Sequence, residues 1–324
     1  MPTTTSYAAH SRYSDPGRFA ELLQAVDPDP AAIHAAVTNA VIHYRAEAGD
    51  LVDDQSADID SRWIEAILAR YCSRGESDLT APREPGRRVA GCCRDHTLLA
   101  VAILREHGVP ARSRHGFAGY FREGFHHDHV VGERWDGQRW VRFDAELGAD
   151  DFPFDVADMP VGDGAPFVTA AEAWLAHRTG RVDVSTYGVD PSLPQLGGHA
   201  FVREYVIGEL AARQRDEMLL WDLWGAMVVP DDVGRVVPPG VLSGVPETEA
   251  DALVDEVAAL LVAADAGDAE AEAELGRRYV ADARLRPGER VLTASPSGRV
   301  GVTDLDARAT DWVAASSFAV VAGE

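Results

Sequence analysis

The stretch that decides the fold is Gly91-Cys92-Cys93-Arg94-Asp95, which opens a predicted helix that continues to His107. Apolar side chains cover most of the surface of this helix, at Leu98, Leu99, Val101, Ala102, Ile103 and Leu104. A helix that is apolar nearly all round lies inside a protein core. Gly108 is placed to end the helix, and Pro110 prevents its continuation. The chain is therefore predicted to build its core around a buried helix with thiols at its amino-terminal end.

Strand-like segments follow this helix directly. They cover residues 111–121, 129–135 and 139–143. The last two flank Asp136-Gly137-Gln138, a sequence typical of a tight hairpin turn. A buried helix followed by an antiparallel sheet predicts an α+β domain.

A thiol, a histidine and a carboxylate follow one another along this segment. Cys93 lies at the helix start, where unpaired N–H groups and the positive end of the helix dipole favour a thiolate. With the turn centred near residues 136–137, His129 lies opposite about residue 144, so His129 and Asp144 would face each other with about 5 Å between their Cβ atoms. Such a set predicts a nucleophile, a proton-carrying base and an orienting carboxylate.

Four segments in this order resemble the transglutaminase-like superfamily. They are Gly91-Cys-Cys-Arg-Asp95, Gly108-Val-Pro-Ala-Arg112, His129-Val-Val-Gly-Glu133 and Trp140-Val-Arg-Phe-Asp144. The resemblance spans about residues 85–147. It implies a papain-like core in which Cys93 is the nucleophile, His129 the general base and Asp144 the orienting carboxylate.

The resemblance implies several reactions: amide hydrolysis, deamidation, acyl transfer to an amine, or in some members no catalysis. The sequence departs from the family pattern at two places. Val130-Val131 replaces the usual aromatic residue after the histidine, and Ala145 replaces a proline after the aspartate. Neither change removes a catalytic atom, but both alter the walls of the substrate pocket.

Other interpretations of the same residues remain open. Cys92 could replace Cys93 as the nucleophile, although we expect it to be a packing neighbour. The cluster His126-His127-Asp128-His129 could bind a metal together with the cysteines, but adjacent cysteines chelate poorly. We therefore predict no metal and no cofactor. A binding or scaffold protein that keeps the fold without catalysis is the second alternative.

The composition limits the class of partner and the compartment. The formal net charge of −23 over 324 residues disfavours nucleic acids and anionic membranes, which both attract basic surfaces. No apolar run approaches the roughly 18 residues of a membrane span, and the first residues lack the features of a secretory signal. Three cysteines without disulfide spacing suit a reducing compartment. A cytoplasmic protein is expected.

Changes in composition divide the chain into three predicted regions. Residues 1–150 would form the transglutaminase-like catalytic core with amino-terminal helices. Residues 151–245 would form a helical extension that packs on the core; much of it resembles the accessory region of uncharacterised bacterial members of the superfamily. Residues 246–324 would form an acidic, helical region after a Pro/Gly-rich linker at 230–245.

Together these features predict a thiol-dependent acyl-transfer enzyme with a mainly helical carboxyl-terminal extension. Its substrate would be an amide or acyl group of a peptide, a protein or a small molecule. Hydrolysis is favoured over cross-linking because no segment of the sequence marks a calcium site or an activation peptide.

Overall fold

A computed structural model of the protein describes residues 4–47, 49, 51–75, 77–228 and 239–313. The described residues form two compact units. The amino-terminal unit contains the described residues up to Val168 together with Arg215–Glu217, and the carboxyl-terminal unit contains the others. The boundaries predicted at residues 150 and 245 remain a prediction.

The amino-terminal unit combines helices with a mainly antiparallel sheet. The α-helices are α1 (Ala20–Gln24), α2 (Pro30–Ala40), α3 (Ile64–Ser73) and α4 (Cys93–Glu106), with 3-10 helices at Thr4–Ala8, Gly17–Phe19, Asp53–Asp60 and Pro85–Arg87. The strands are β1 (Val41–His43), β2 (Val89–Gly91), β3 (Ala111–Arg122), β4 (Phe125–Trp135), β5 (Trp140–Phe143) and β6 (Phe167–Thr169). The predicted α+β fold class is confirmed.

Helix α4 is buried along its length, as its apolar sequence predicts. It begins at Cys93, and every residue from Cys93 to Arg105 is buried. The Asp95 carboxylate accepts the N–H of Cys92 at 2.9 Å and so caps the helix start. Gly91 is required beside this cap, because a Cβ atom there would lie 2.7 Å from Oδ2 of Asp95 and 2.9 Å from Cγ1 of Val41. The thiols are therefore held at the rigid end of a core helix.

The sheet follows the order β5-β4-β3-β6 and packs against α4. The hydroxyl of Thr97, one turn into α4, donates to the carbonyl of Val130 at 2.8 Å. A separate parallel pair joins β1 to β2 and sets His43 beside Gly91. These contacts bring the start of α4, the middle of β4 and the end of β1 together.

The strand register corrects the predicted alignment of the hairpin. β4 and β5 pair with Gly132 opposite Phe143, so the turn is centred one residue later than predicted. Continuing this register would place Asp144 opposite Val131, and not opposite His129. The two side chains are therefore related diagonally across the strands.

The carboxyl-terminal unit contains four longer helices and a sheet among its described residues. The helices are α5 (Ala170–Arg178), α6 (Gly198–Arg213), α7 (Glu247–Asp265) and α8 (Ala269–Ala281), with 3-10 helices at Val184–Thr186 and Pro194–Leu196. The strands are β7 (Tyr187–Gly188), β8 (Asp222–Leu223), β9 (Arg290–Ala294), β10 (Val300–Asp304) and β11 (Ala309–Val313). The sheet order is β11-β10-β9-β8, so residues 290–313 supply three of its four strands.

Local signals in the sequence account for the ends of these helices. Thr169 caps α5 by accepting the N–H of Glu172 at 3.2 Å, while the Glu172 carboxylate accepts the N–H of Thr169 at 2.8 Å. Residues 229–238, which include the first nine residues of the predicted linker, lie outside the described residues. Within the described part of the chain, no helix has the length and apolarity needed to cross a membrane.

Candidate active site

His129 and Asp144 form a buried hydrogen-bonded pair. Nε2 of His129 lies 2.7 Å from Oδ2 of Asp144, and both residues are less than 5% exposed, at 3% and 4%. Burial lowers the pKa of His129, but the charge of Asp144 and the hydrogen bond outweigh it, so the pKa lies above its ordinary value of 6.5. The imidazole is thus held by a carboxylate as the sequence predicts.

Further donors fix the Asp144 carboxylate. The hydroxyl of Tyr120 donates to Oδ2 at 2.9 Å, and the backbone N–H of Glu146 donates to Oδ1 at 3.0 Å. Burial would raise the pKa of Asp144, but the charge and hydrogen bond of His129, together with these donors, lower it below its ordinary value. The carboxylate therefore stays ionised and cannot turn away from the imidazole.

The hydrogen bond to Asp144 sets the orientation of the His129 ring. Because Nε2 donates to the carboxylate, Nδ1 is the nitrogen available for a proton from a thiol. Aromatic rings hold the imidazole edge-on: the Phe121 ring lies 5.1 Å away at 82°, and the Tyr120 ring lies 6.1 Å away at 90°. Packing and hydrogen bonding together keep the ring in one pose.

Cys93 lies one helical turn before Thr97, on the same face of α4. Thr97 is bonded to the residue that follows His129, so Cys93 lies near His129 at the helix start. The thiol is 5% exposed. Among the described residues, no hydrogen bond joins the Cys93 thiol to His129. The structure therefore brings His129 and Asp144 into direct contact and places Cys93 in their neighbourhood.

The surroundings of Cys93 favour the neutral thiol. Its hydrogen bond with Cys92 and its burial raise its pKa well above the ordinary value, and the charges of Glu146 and Asp128 add to this. The raised pKa of Cys93 is opposite to the prediction that its position at the helix start favours a thiolate, because burial and nearby carboxylates oppose the effect of the helix dipole. The resting site would hold Cys93 as a protonated thiol.

Cys92 has a structural position. It is the residue before α4, is 3% exposed, and its N–H donates to the Asp95 carboxylate. All three cysteines are free, with Cys72 half-buried on α3. Cys92 therefore helps to stabilise the start of α4, where Cys93 is the first residue.

The sequence did not reveal three polar side chains of this neighbourhood: His43, Tyr120 and Glu146. Nδ1 of His43 accepts the N–H groups of Arg45 at 3.2 Å and Ala46 at 3.1 Å, so Nε2 carries the proton. Burial lowers the pKa of His43 and keeps it neutral. The pairing of β1 with β2 brings His43 to this site. Of the three residues, only Glu146 could have been found from the sequence, because it follows Asp144 by two residues.

The histidine cluster before His129 packs against aromatic rings. The ring of His127 lies 4.9 Å from that of Phe125 and 6.1 Å from that of Phe121. Across the residues that the structure describes, no group of three histidine, cysteine or acidic side chains is arranged to hold a metal ion.

Comparison with known proteins identifies the segment that carries this site. Residues 56–145 match the model of the transglutaminase-like superfamily and include Cys93, His129 and Asp144. Among curated proteins, none matches the sequence significantly. A solved structure named "Putative Cysteine Protease", from Cytophaga hutchinsonii, is similar at 18% identity and a TM-score of 0.32, over 52% of this chain and 47% of that one. The chain thus spans about half the length of that protein, and the resemblance to the superfamily is confirmed for residues 56–145.

Proposed function

We propose that this transglutaminase-like segment is the catalytic core of a cysteine-dependent acyl-transfer enzyme, with Cys93 as nucleophile, His129 as base and Asp144 as orienting carboxylate. The observation that carries the proposal is the buried His129–Asp144 pair beside the start of α4. A buried imidazole bound to an ionised carboxylate, next to a thiol, is the arrangement that thiol catalysis requires.

The proposed reaction begins with a proton transfer. The Cys93 thiol gives its proton to Nδ1 of His129 as its sulfur attacks the carbonyl carbon of an amide. Because the site favours the thiol at rest, this transfer would accompany the attack and would not precede it. Backbone N–H groups at the start of α4 are the candidate donors to the oxyanion that forms on the carbonyl oxygen.

Collapse of this intermediate completes the first half of the reaction. The C–N bond breaks, the leaving nitrogen takes the proton from His129, and a thioester remains on Cys93. Water, or a second amine, then gives a proton to His129 and attacks the thioester carbon. The C–S bond breaks, and the Cys93 sulfur takes the proton from His129, which releases the acyl product and restores the thiol. No cofactor takes part in these steps, and the substrate would be an amide or acyl group of a peptide, a protein or a small molecule.

Trapping the acyl-enzyme tests this proposal. Full-length protein treated with p-nitrophenyl acetate should gain one acetyl group in intact-mass spectra, on the peptide that contains Cys93. Cys93→Ala should lose the adduct, whereas Cys72→Ala, which removes a half-buried cysteine of α3, should keep it. An adduct that survives in Cys93→Ala and disappears in Cys92→Ala would move the nucleophile to Cys92. No adduct on either cysteine would overturn the enzyme proposal.

A non-catalytic scaffold protein is the second candidate function. It is favoured by the raised pKa of Cys93 and by the lack of a direct thiol–imidazole hydrogen bond among the described residues. In that case p-nitrophenyl acetate would not acylate Cys93 of the folded protein, although this activated ester acylates free cysteine. Acylation of Cys93 faster than of free cysteine excludes the scaffold function.

A further inference from the structure

A cavity lies at the end of β5, where Asp144 is among its lining residues. Its volume is about 200 Å³, and its walls are mainly apolar, with Ile33, Phe143 and Val156 among them. Neither Cys93 nor His129 is among its lining residues. The cavity is therefore a site separate from the candidate active site, although Asp144 belongs to both.

The cation Arg134 lines this apolar cavity. Its Nε atom is buried and has no hydrogen-bond partner within the part of the chain that the structure describes. The charge of the exposed Asp136 carboxylate acts on Arg134, but this carboxylate accepts its hydrogen bonds from the N–H groups of Gln138 and Arg139, each at 2.8 Å. A buried N–H without an acceptor is unfavourable, so the Arg134 side chain, which lines the cavity, is suited to bind a ligand oxygen.

Other polar groups around the cavity have partners within the protein; Nδ1 of His34 lies 3.0 Å from the carbonyl oxygen of Ala145. At the start of α2, the N–H groups of Ala31 and Ala32 donate to the Asp29 carboxylate at 3.1 Å each. The Asp144 carboxylate is bonded to His129 and two further donors. Arg134 is thus the group that would recognise the polar end of a ligand.

We propose that this cavity binds a small carboxylate whose apolar body is about the size of a benzene ring. An apolar cavity of roughly 150 Å³ holds benzene, so about 200 Å³ leaves room for a carboxylate at the Arg134 end. Guanidinium binds carboxylate through paired, charge-assisted hydrogen bonds. Because the protein carries a net charge of −23, general attraction would not draw an anion there, and binding depends on Arg134.

Calorimetric titration of the full-length protein with benzoate tests the proposal without reference to catalysis. Benzoate should bind at one saturable site, and benzyl alcohol, which has a similar shape without the charge, should bind about ten-fold more weakly. Arg134→Met should weaken benzoate binding by about ten-fold or more and leave benzyl alcohol unchanged. The matched control is Arg122→Met, because Arg122 is an exposed arginine of β3 outside the cavity; this variant should bind benzoate as the wild type does.

Methyl NMR spectra locate the ligand. Benzoate should shift the signals of Ile33 and Val156, which line the cavity, and leave Ile207, buried in α6, unchanged. The comparison of benzoate with benzyl alcohol uses the wild-type protein, so it stands even if Arg134→Met does not fold. Absence of saturable binding, equal binding of the two ligands, or unchanged methyl signals of Ile33 and Val156 in the benzoate-bound protein would overturn the proposal.

Discussion

Nε2 of His129 lies 2.7 Å from Oδ2 of Asp144, although the strand register does not set these residues opposite each other. β5 ends at Phe143, and the N–H of Asp144 donates to the carbonyl of Val156 at 2.8 Å outside the strand ladder. A diagonal neighbour is still within reach of a long side chain. The pair therefore forms because the chain leaves the sheet at Asp144 and the carboxylate turns back toward the imidazole.

The first prediction concerns the titration of His129. Its pKa should lie above 6.5, because Asp144 stabilises the imidazolium, while buried His115, on β3 near Arg94 and Arg114, has a pKa of about 3. Histidine NMR spectra over a pH series measure both values. In Asp144→Asn, the pKa of His129 should fall, since only the charges of Glu146 and Asp128 would then oppose the effect of burial. An unchanged titration in Asp144→Asn would contradict the assignment.

The same pair predicts how stability depends on pH. The raised pKa of His129 adds stability that is fully present below pH 6.5 and is lost as the pH rises through the folded pKa. The lowered pKa of Asp144 adds stability that is present above pH 3.8 and is lost as the pH falls further. Asp144→Asn should therefore lower the melting temperature more at about pH 5 than at about pH 9. Equal losses at both values would count against the ion pair.

The pH dependence of catalysis provides the next prediction. If the resting thiol is protonated, neutral His129 must accept its proton, so kcat/KM should rise as His129 loses its proton above pH 6.5. Rates of acylation by p-nitrophenyl acetate across a pH series measure this rise. A rate already at its plateau at about pH 5 would instead indicate a preformed thiolate–imidazolium pair.

The sequence alone predicted the helix and strands that carry the site, because apolar periodicity and turn residues determine local structure. It predicted α4 from its apolar surface and the β4–β5 hairpin from Asp136-Gly137. The sequence also predicted that His129 and Asp144 lie close together. It set them directly opposite each other, because the turn was predicted one residue too early. The position of His43 depends on the parallel pairing of β1 with β2, and the raised pKa of Cys93 depends on burial and on Glu146. Such long-range contacts have no periodic signature in the chain.

The hydroxyl of Tyr120 gives a prediction that separates positioning from stability. Tyr120→Phe removes a donor to the buried Asp144 carboxylate and should lower the free energy of unfolding by about 1–3 kcal/mol. It should also lower the rate of acylation, because Asp144 would hold His129 less firmly. Tyr71→Phe is the matched control: it loses a hydrogen bond of 2.7 Å to the Asp78 carbonyl and should lose stability while acylation by the folded protein stays normal. Equal acylation rates in the two variants would exclude a positioning role for Tyr120.

The last prediction concerns Glu133, which lies on β4 in the segment that resembles the superfamily. Its buried carboxylate contacts Arg112 at 2.7 Å, Arg114 at 3.3 Å and Arg142 at 3.1 Å. Removing the carboxylate leaves several buried guanidinium groups without their shared counter-ion, so Glu133→Gln should lower the free energy of unfolding by about 3–5 kcal/mol. Urea denaturation measures this loss, and Glu123→Gln, at the exposed turn between β3 and β4, serves as the control with a change within about 0.5 kcal/mol. A loss below about 1 kcal/mol in Glu133→Gln would show that the arginines find other partners, and that Glu133 does not hold β3, β4 and β5 together behind the site.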